Sequence, residues 1–369
     1  MTGLVLLLAV AATTVQVSAP AGAQACADCH GTTFEGWRAS AHSAAATNPI
    51  YRAGFRVEPR QFCVDCHTST GARAEEGIGC ASCHAARAAP GTATATSGHA
   101  VALRTRADLR DPAFCRDCHE FATPAFEGGT MRMTDLPMQR TYSEWLAYRG
   151  AGGRETCQSC HMPGGDHAMR GAHDVELLRG SLTVTASADA RGARLTLASV
   201  GVGHGFPSGD LFRHLTVEVR PAGDPRARDG EEAWRVVDRM GRMFETRFDG
   251  RTLQAYKVET ANTVLAPGVP RVVRLPPTRG ELIWRVRYHY GSERDERRGL
   301  LPAEALFVTL ATGTAGQTRR CEPHPVAGQG ESPWAAWPAF SRARSRRLRA
   351  EVSVGSRATA ALYSRSASR

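Results

Sequence analysis

Hydrophobic and polar positions follow different patterns in the two halves of the chain. Beyond about residue 181, apolar and polar residues alternate in short runs, among them SLTVTASA, HLTVEVR and ELIWRVRYHY, and Gly, Pro and Asp turns separate these runs. A period of two is typical of strands that bury one face. Several such strands in succession predict an antiparallel β-sandwich domain over residues 179–315.

The N-terminal half shows little of this alternation. From residue 26 to about 178, short helical patches are joined by connections rich in Gly, Pro and Ala, and large aliphatic residues are few. Such a segment buries too little apolar surface to hold a domain together by its side chains alone. The pattern therefore predicts a mainly α unit, residues 26–178, whose core is supplied by a bound group.

A repeated motif identifies that group. Cys-x-x-Cys-His occurs five times and uses ten of the 11 cysteines in the 369 residues. The copies are Cys26, Cys29 and His30 (motif 1), Cys63, Cys66 and His67 (motif 2), Cys80, Cys83 and His84 (motif 3), Cys115, Cys118 and His119 (motif 4), and Cys157, Cys160 and His161 (motif 5). At this composition a cysteine begins such a motif by chance about once in a thousand, so the recurrence is not accidental.

The spacing suits covalent attachment of c-type haem. Two thiols form thioethers to one porphyrin edge, and the imidazole of the next residue binds the iron. Zinc sites also use paired Cys-x-x-Cys units, but they do not require histidine directly after every second cysteine. We therefore expect five c-type haems, each with its iron, to form the core of residues 26–178. Motifs 2 and 3 are close in sequence, so their haems are expected to lie side by side.

The haems also change the interpretation of the charge. The formal net charge is +10, which on a bare chain would suggest an anionic partner. Each haem brings two propionates with which arginines can pair, so the loaded protein is much closer to neutral. We expect no nucleic-acid partner.

The histidine of each motif provides one ligand to the iron. A haem held between two histidines needs a second, distal imidazole from elsewhere in the chain. Five histidines outside the motifs are candidates for this position: His42, His99, His167, His173 and His204. His42 follows motif 1 on a predicted helix, and His204 lies in the glycine-flanked loop GVGHGFPSG. A surface or turn role is the alternative for each candidate. His214 is expected to be structural or exposed at the start of a strand, and His289 to lie on a strand surface.

The two ends of the chain have other signals. Residues 1–25 combine an apolar run from Leu4 to Ala12 with A-x-A sequences, which predicts a secretory signal peptide cut after Ala23 or Ala25. No other segment is apolar for long enough to form a membrane helix, so the mature chain is expected in the periplasm or at the cell surface. Residues 316–369 are basic and of low complexity, which predicts a disordered tail; they contain Cys321, the cysteine outside the motifs.

With these residues in view, the chain resembles the multihaem c-type cytochromes of the cytochrome c554-like group that carry a C-terminal β-sandwich. The resemblance rests on CADCH followed by Trp37 and His42, on GIGCASCH with a trailing histidine, on TYSEW ahead of CQSCHMP, and on GHGFPSG followed by FRHL. It covers most of residues 26–310. It implies a periplasmic or cell-surface electron carrier with bis-histidine haems that exchanges electrons with redox partner proteins.

Two other functions fit the same motifs. An oxidoreductase acting on a small nitrogen or sulfur compound would need one iron without a distal histidine, and no Cys-x-x-Cys-Lys variant accompanies the motifs. A structural subunit of a haem filament or surface complex, as a homo-oligomer or bound to a membrane complex, is the third possibility. Since five candidate histidines match five motifs, we expect an electron carrier without catalytic residues.

Overall fold

The computed structural model describes residues 22–57, 59–68, 76–85, 99, 103–127, 130–189, 192–224, 233–248, 255–277, 281–292 and 301–315. Within these ranges the chain forms short helices and three antiparallel sheets. The expected combination of helices and antiparallel sheets is therefore confirmed. Most of the predicted signal peptide, the C-terminal tail and Cys321 lie outside the described residues, so the predictions for them stay predictions.

Short helices carry the motifs. The helices are α1 Gln24–Ala27, α2 Gly31–Arg38, α3 Pro49–Val57, α4 Gln61–His67, α5 Cys80–His84, α6 Arg106–Arg110, α7 Ala113–His119, α8 Thr141–Gly150, α9 Cys157–His161, α10 Val175–Gly180 and α11 Ala303–Leu306. Four of them, α4, α5, α7 and α9, end at a motif histidine. In a helical turn, residues i, i+3 and i+4 share one face, so the two thiols and the imidazole of a motif converge. In the part of the chain that the structure describes, no helix has the length and apolarity needed to cross a membrane.

A β-hairpin interrupts the helical part. Strand β1 (Glu120–Glu127) begins directly after motif 4 and pairs antiparallel with β2 (Thr130–Arg140). The prediction of a mainly α unit did not include this hairpin. Its sequence signal is the Gly-Gly pair at 128–129, which is typical of a two-residue hairpin turn.

The remaining strands form two larger sheets. The three-stranded sheet has the order β3-β4-β8, and the five-stranded sheet has the order β10-β9-β5-β6-β7. Their bounds are β3 Leu182–Asp189, β4 Gly192–Ser199, β5 His214–Pro221, β6 Arg235–Phe248, β7 Ala255–Asn262, β8 Arg271–Arg274, β9 Leu282–His289 and β10 Phe307–Thr314. Every pairing is antiparallel, as the alternating pattern predicts.

One apolar core lies between residues of both sheets. Leu195 and Leu197 of β4 and Leu215 and Val217 of β5 have no exposed surface and belong to the same cluster. Burial alternates along β4 but is continuous over most of β5 and β9, because these two central strands are covered on both faces. The hydrophobic core of the described chain is thus concentrated in the region that lacks motifs.

The second face of β5 and β9 buries a polar cluster. Glu218 Oε2 accepts a hydrogen bond from Arg285 Nε at 2.6 Å, and Thr216 lies 2.8 Å from His289 Nε2. His289 is only 3% exposed, so the expectation that it lies on a strand surface is wrong. The surrounding hydrogen bonds satisfy these polar groups, which allows their burial.

Candidate haem sites

The motif cysteines surround a large cavity. None of the ten forms a disulfide, and the eight cysteines of motifs 1–4 line a cavity of about 3130 Å³. A single small-molecule site usually occupies roughly 300–1,000 Å³, so this cavity has room for several groups. A second cavity of about 570 Å³ is lined by Cys160 of motif 5 together with Glu144, Tyr148 and Gly203.

Four candidate distal histidines each lie with their ring about 6 Å from the ring of a motif histidine. The distances between ring centroids are 6.1 Å for His30 and His99, 6.2 Å for His42 and His119, 6.0 Å for His84 and His167, and 6.3 Å for His161 and His204. Metal–imidazole bonds of about 2.0–2.1 Å, with each centroid about 1 Å behind its nitrogen, place two axial rings about 6 Å apart. The four pairs therefore have the spacing that one iron between two imidazoles requires, and the residues fit the group.

The four pairs differ in the angle between their ring planes. The planes are nearly parallel in three pairs, at 18° for His30 and His99, 19° for His84 and His167, and 11° for His161 and His204. In the pair of His42 and His119 the angle is 81°. The relative orientation of the axial imidazoles affects the magnetic anisotropy of low-spin ferric iron, so this pair should be spectroscopically distinct.

Hydrogen bonds at Nδ1 orient many of these rings. Donation from Nδ1 fixes the tautomer and leaves Nε2 for a metal. Backbone carbonyl partners lie near Nδ1 in four cases: Arg170 O at 2.6 Å from His161, Gly165 O at 2.8 Å from His167, Gly205 O at 2.8 Å from His204, and Ala45 O at 3.1 Å from His67. Backbone carbonyl groups therefore fix the orientation of these four imidazole rings.

His42 has a different second partner. It lies in a turn beyond the end of α2, and its Nδ1 is 2.7 Å from the Met169 sulfur. Met169 has a φ of 44°, in the left-handed region that residues with a side chain rarely adopt. The unusual backbone conformation accompanies a contact that orients a candidate ligand.

Burial keeps the candidate ligands neutral. It lowers the pKa of His119 to about 3 and that of His204 to about 4, because the charged imidazolium loses its water. Burial also lowers the pKa of His42 and of His84. The neutral imidazole is the form that coordinates a metal, so these rings are available for ligation at neutral pH.

Helix α8 holds the loop that carries His204. Glu144 Oε2 accepts hydrogen bonds from Gly205 N–H at 3.1 Å and from the Ser208 hydroxyl at 2.6 Å. A Cβ at position 205 would lie 3.0 Å from Glu144 Oε2, and one at position 203 would lie 3.1 Å from the Tyr148 ring. The glycines on both sides of His204 therefore permit the close approach of this loop to α8.

Motif 2 has a different environment. The ring of His67 stacks on Tyr51 with centroids 4.0 Å apart and planes 7° apart, which leaves no room between the two rings. His173, the fifth distal candidate, stacks on Tyr290 at 4.8 Å. Among the residues that the structure describes, no histidine ring faces His67 at the spacing of the four pairs.

Thiols of different motifs contact one another. A hydrogen bond with Cys118 of motif 4 raises the pKa of Cys66 of motif 2. Burial and contact with Cys26 of motif 1 raise the pKa of Cys80 of motif 3 to about 12. A hydrogen bond between Cys115 and Cys157 connects motifs 4 and 5. The contacts between motifs 1 and 3 and between motifs 2 and 4 do not follow the order of the sequence.

Other contacts agree with this arrangement. Trp37, on the helix after motif 1, donates its indole N–H to the carbonyl of Ile78 at 2.7 Å, just before motif 3. Cys83 of motif 3 is close enough to Cys118 of motif 4 for the two thiols to interact. The contacts therefore connect motif 1 to motif 3, motif 3 to motif 4, and motif 4 to motif 5, which we write as the line 1–3–4–5. Motif 2 contacts motif 4.

The rings of the four pairs are predictable from the sequence, but most of the residues that position them are not. Met169 and Tyr51 carry no pattern that marks them, because their contacts are made with residues distant in the chain. For Glu144 a signal was present, since TYSEW and GHGFPSG were both singled out, but nothing in either segment indicates that the two touch.

Comparison with known proteins supports the chemistry of the motifs. Residues 11–85, which contain motifs 1–3, match the family described as cytochrome c7 and related cytochrome c. No curated protein matches the sequence. The segment that carries motifs 1–3 is therefore similar to c-type cytochromes.

A solved structure has a similar fold. It is the crystal structure of a penta-haem cytochrome c552 from Thermochromatium tepidum, with a TM-score of 0.56 and 20% sequence identity, over 78% of this chain and 97% of that chain. At this identity the likeness concerns the fold. It extends beyond the segment that the family match covers.

Proposed function

We propose that this protein is an electron carrier with five covalently attached c-type haems, four of which are held between two histidines. The observation that carries the proposal is the set of four histidine pairs at 6.0–6.3 Å. Haem bound in this way supplies a one-electron iron couple whose potential depends on its axial ligands and surroundings. The count of five rests on the five motifs.

The roles of the chain's own residues follow from their positions. The motif cysteines fix the porphyrins covalently, and His30, His84, His119 and His161 bind iron on the proximal side. Their distal partners are His99, His167, His42 and His204, in that order. These histidine pairs would hold a haem iron from both sides, and the bound haem would supply a one-electron couple without any exchange of ligands.

The contacts between motifs support a route for electrons. Thiols of adjacent motifs in the line 1–3–4–5 lie close enough to interact, so the porphyrin edges that they hold are expected to be neighbours. Motif 2 joins this line through Cys66 and Cys118. Motifs 1 and 5 at the two ends are the expected points of exchange with redox partner proteins.

The remaining assignments belong to the same proposal. Residues 26–178 form the haem domain of a c554-like cytochrome, and residues 179–315 form a β-sandwich that supplies His204 from its loop. Residues 1–25 direct export to the periplasm or the cell surface. The extensive apolar core between the two larger sheets supports a separately packed second domain.

A haem count and spectroscopy on a ligand variant test this proposal. The matured protein should carry five haems by mass and by pyridine haemochrome assay. His42→Ala should convert one iron from low spin to high spin without loss of covalent haem, with the surface variant Glu35→Ala as control. An unchanged spectrum in His42→Ala, or fewer than five attached haems, would contradict it.

A further inference from the structure

Helix α8 makes hydrogen bonds to the segments of both motif 4 and motif 5. We infer that its first turn, residues 141–145, is a positioning element that couples the iron sites of these two motifs, with Glu120 as its contact on the motif 4 side. This inference rests on the proposed function, because it requires that both motifs carry haem. It goes beyond that function in making two of the haem sites depend on one another.

The contacts on the motif 4 side begin directly beside a proximal ligand. Glu120 follows His119 in the chain, and its carboxylate accepts hydrogen bonds from the backbone N–H of Ser143, at 3.0 Å, and from the Ser143 hydroxyl. The guanidinium of Arg116, which lies between the two cysteines of motif 4, is 5.9 Å from the centre of the Tyr142 ring. Motif 4 therefore contacts the first turn of α8 at two points.

The next residues of the turn contact the segments of motif 5. Trp145 donates its indole N–H to the carbonyl of Glu155 at 2.9 Å, two residues before Cys157. Glu144 holds the loop of His204 through the two hydrogen bonds described above. The same turn therefore contacts the chain just before motif 5 and the loop that carries the distal ligand of that motif.

Adjacent residues of the turn make the two sets of contacts. Ser143 bonds toward motif 4 and Glu144 bonds toward motif 5, and the residues of a helical turn are held together by its backbone hydrogen bonds. Glu120 also satisfies the Ser143 N–H, one of the first-turn groups that have no acceptor within the helix. A displacement of the turn at Ser143 is therefore expected to displace Glu144, and with it the loop opposite His161.

EPR of the oxidised, matured full chain tests this coupling at the irons themselves. The signal of motif 4 is identified by its loss in His42→Ala, and that of motif 5 by its loss in His204→Ala. Glu120→Ala should change both of these signals and leave those of motifs 1 and 3 as in the native protein. Glu120→Gln keeps an acceptor oxygen for the Ser143 N–H and should restore the native spectrum. A role in stability alone would lower Tm without changing these two signals.

A double-variant comparison gives a second measure that needs no assignment of signals. Glu120→Ala alone should lower Tm by about 2–4 °C, as for loss of one helix-capping contact. Because Glu120→Ala and Glu144→Ala act through the same turn, the double variant should lose less than the sum of the two single falls in Tm. Glu35→Ala, at an exposed residue of α2, should be additive with Glu144→Ala. Ser143→Ala replaces Glu120→Ala in both experiments if that variant does not mature.

The outcomes separate this inference from the proposed function. If the native protein has five haems and the predicted low-spin signals, an unchanged spectrum in Glu120→Ala would overturn the inference alone. A change confined to the signal of motif 4, or additive falls in Tm for Glu120→Ala and Glu144→Ala, would also overturn it. A native protein with fewer than five haems, or without low-spin signals from motifs 4 and 5, would overturn the proposed function and the inference with it.

Discussion

The carboxylate of Glu144 is predicted to hold His204 in place opposite His161. Glu144 lies on α8 and accepts two hydrogen bonds from the loop that follows His204, at 3.1 Å from Gly205 N–H and 2.6 Å from Ser208 Oγ. Glu144→Ala removes the acceptor and leaves the buried Gly205 N–H unsatisfied. Glu144→Gln retains a carbonyl oxygen in the same place and is the matched control.

The size of the effect follows from those two bonds. Hydrogen bonds to a charged group contribute about 1.5–3 kcal/mol each, and an unsatisfied buried donor costs about 1–3 kcal/mol. The cost of burying the Glu144 carboxylate offsets part of the free energy that these hydrogen bonds contribute. The same burial raises the pKa of Glu144. A net loss of about 2–4 kcal/mol is therefore expected for Glu144→Ala, which corresponds to a fall in Tm of roughly 4–10 °C.

The assay combines thermal unfolding with the visible and EPR spectra of the oxidised protein. Glu144→Ala should lower Tm and give a high-spin component of up to one iron, because His204 is no longer held against its partner ring. Glu144→Gln should keep the low-spin spectrum and lose less stability. If Glu144→Ala keeps both the Tm and the low-spin spectrum of the native protein, the proposed role of this hydrogen-bonded link is refuted.

The pH dependence of Glu144 has a definite sign. Its pKa in the folded protein is raised above the ordinary value of 4.5, so the folded state binds this proton more tightly than the unfolded chain does. The stability that comes from binding this proton is fully present below pH 4.5. It is lost as the pH rises through the raised pKa of Glu144. Glu144→Gln should remove this part of the pH dependence, as measured by denaturant unfolding across that range.

Three further predictions concern other parts of the protein. Met169→Leu removes the partner of His42 Nδ1. It should raise the reduction potential of one haem by less than about 60 mV, as measured by spectroelectrochemistry, without forming high-spin iron. A high-spin signal would contradict this prediction. Burial lowers the pKa of His214 to about 3, so stability should fall as pH drops below 6.5 by at most about 1.4 kcal/mol per pH unit from this group. His214→Gln should flatten that slope in urea unfolding, and an unchanged slope would count against it. Leu195→Ala, at a core position with no exposed surface, should cost about 2–5 kcal/mol in denaturant unfolding with the haem spectrum unchanged; a loss below about 1 kcal/mol would contradict the packing described.

The motifs and the strands could be predicted from sequence because their signals are local. Cys157, Cys160 and His161 fall on one helical turn by spacing alone, and the alternation along β4 corresponds to its alternate burial. His204 was also accessible, since a histidine between glycines can approach a partner closely. These signals need no knowledge of the tertiary fold.

The pairing of ligands could not be predicted, because it depends on contacts between distant parts of the chain. His42 faces His119 of motif 4, although it follows motif 1 in sequence. His173 has the same local appearance as His167, six residues earlier, yet one stacks on Tyr290 and the other faces His84. Nothing within the segment from Cys157 to His173 distinguishes these two environments.

The most direct measurement is EPR of the oxidised, matured protein, calibrated against its haem content. Five haems per chain are predicted, with four low-spin irons, of which three give rhombic spectra and one, from the perpendicular pair of His42 and His119, gives a strongly anisotropic signal. Fewer than five haems, or more than one iron in a high-spin state, would contradict the account.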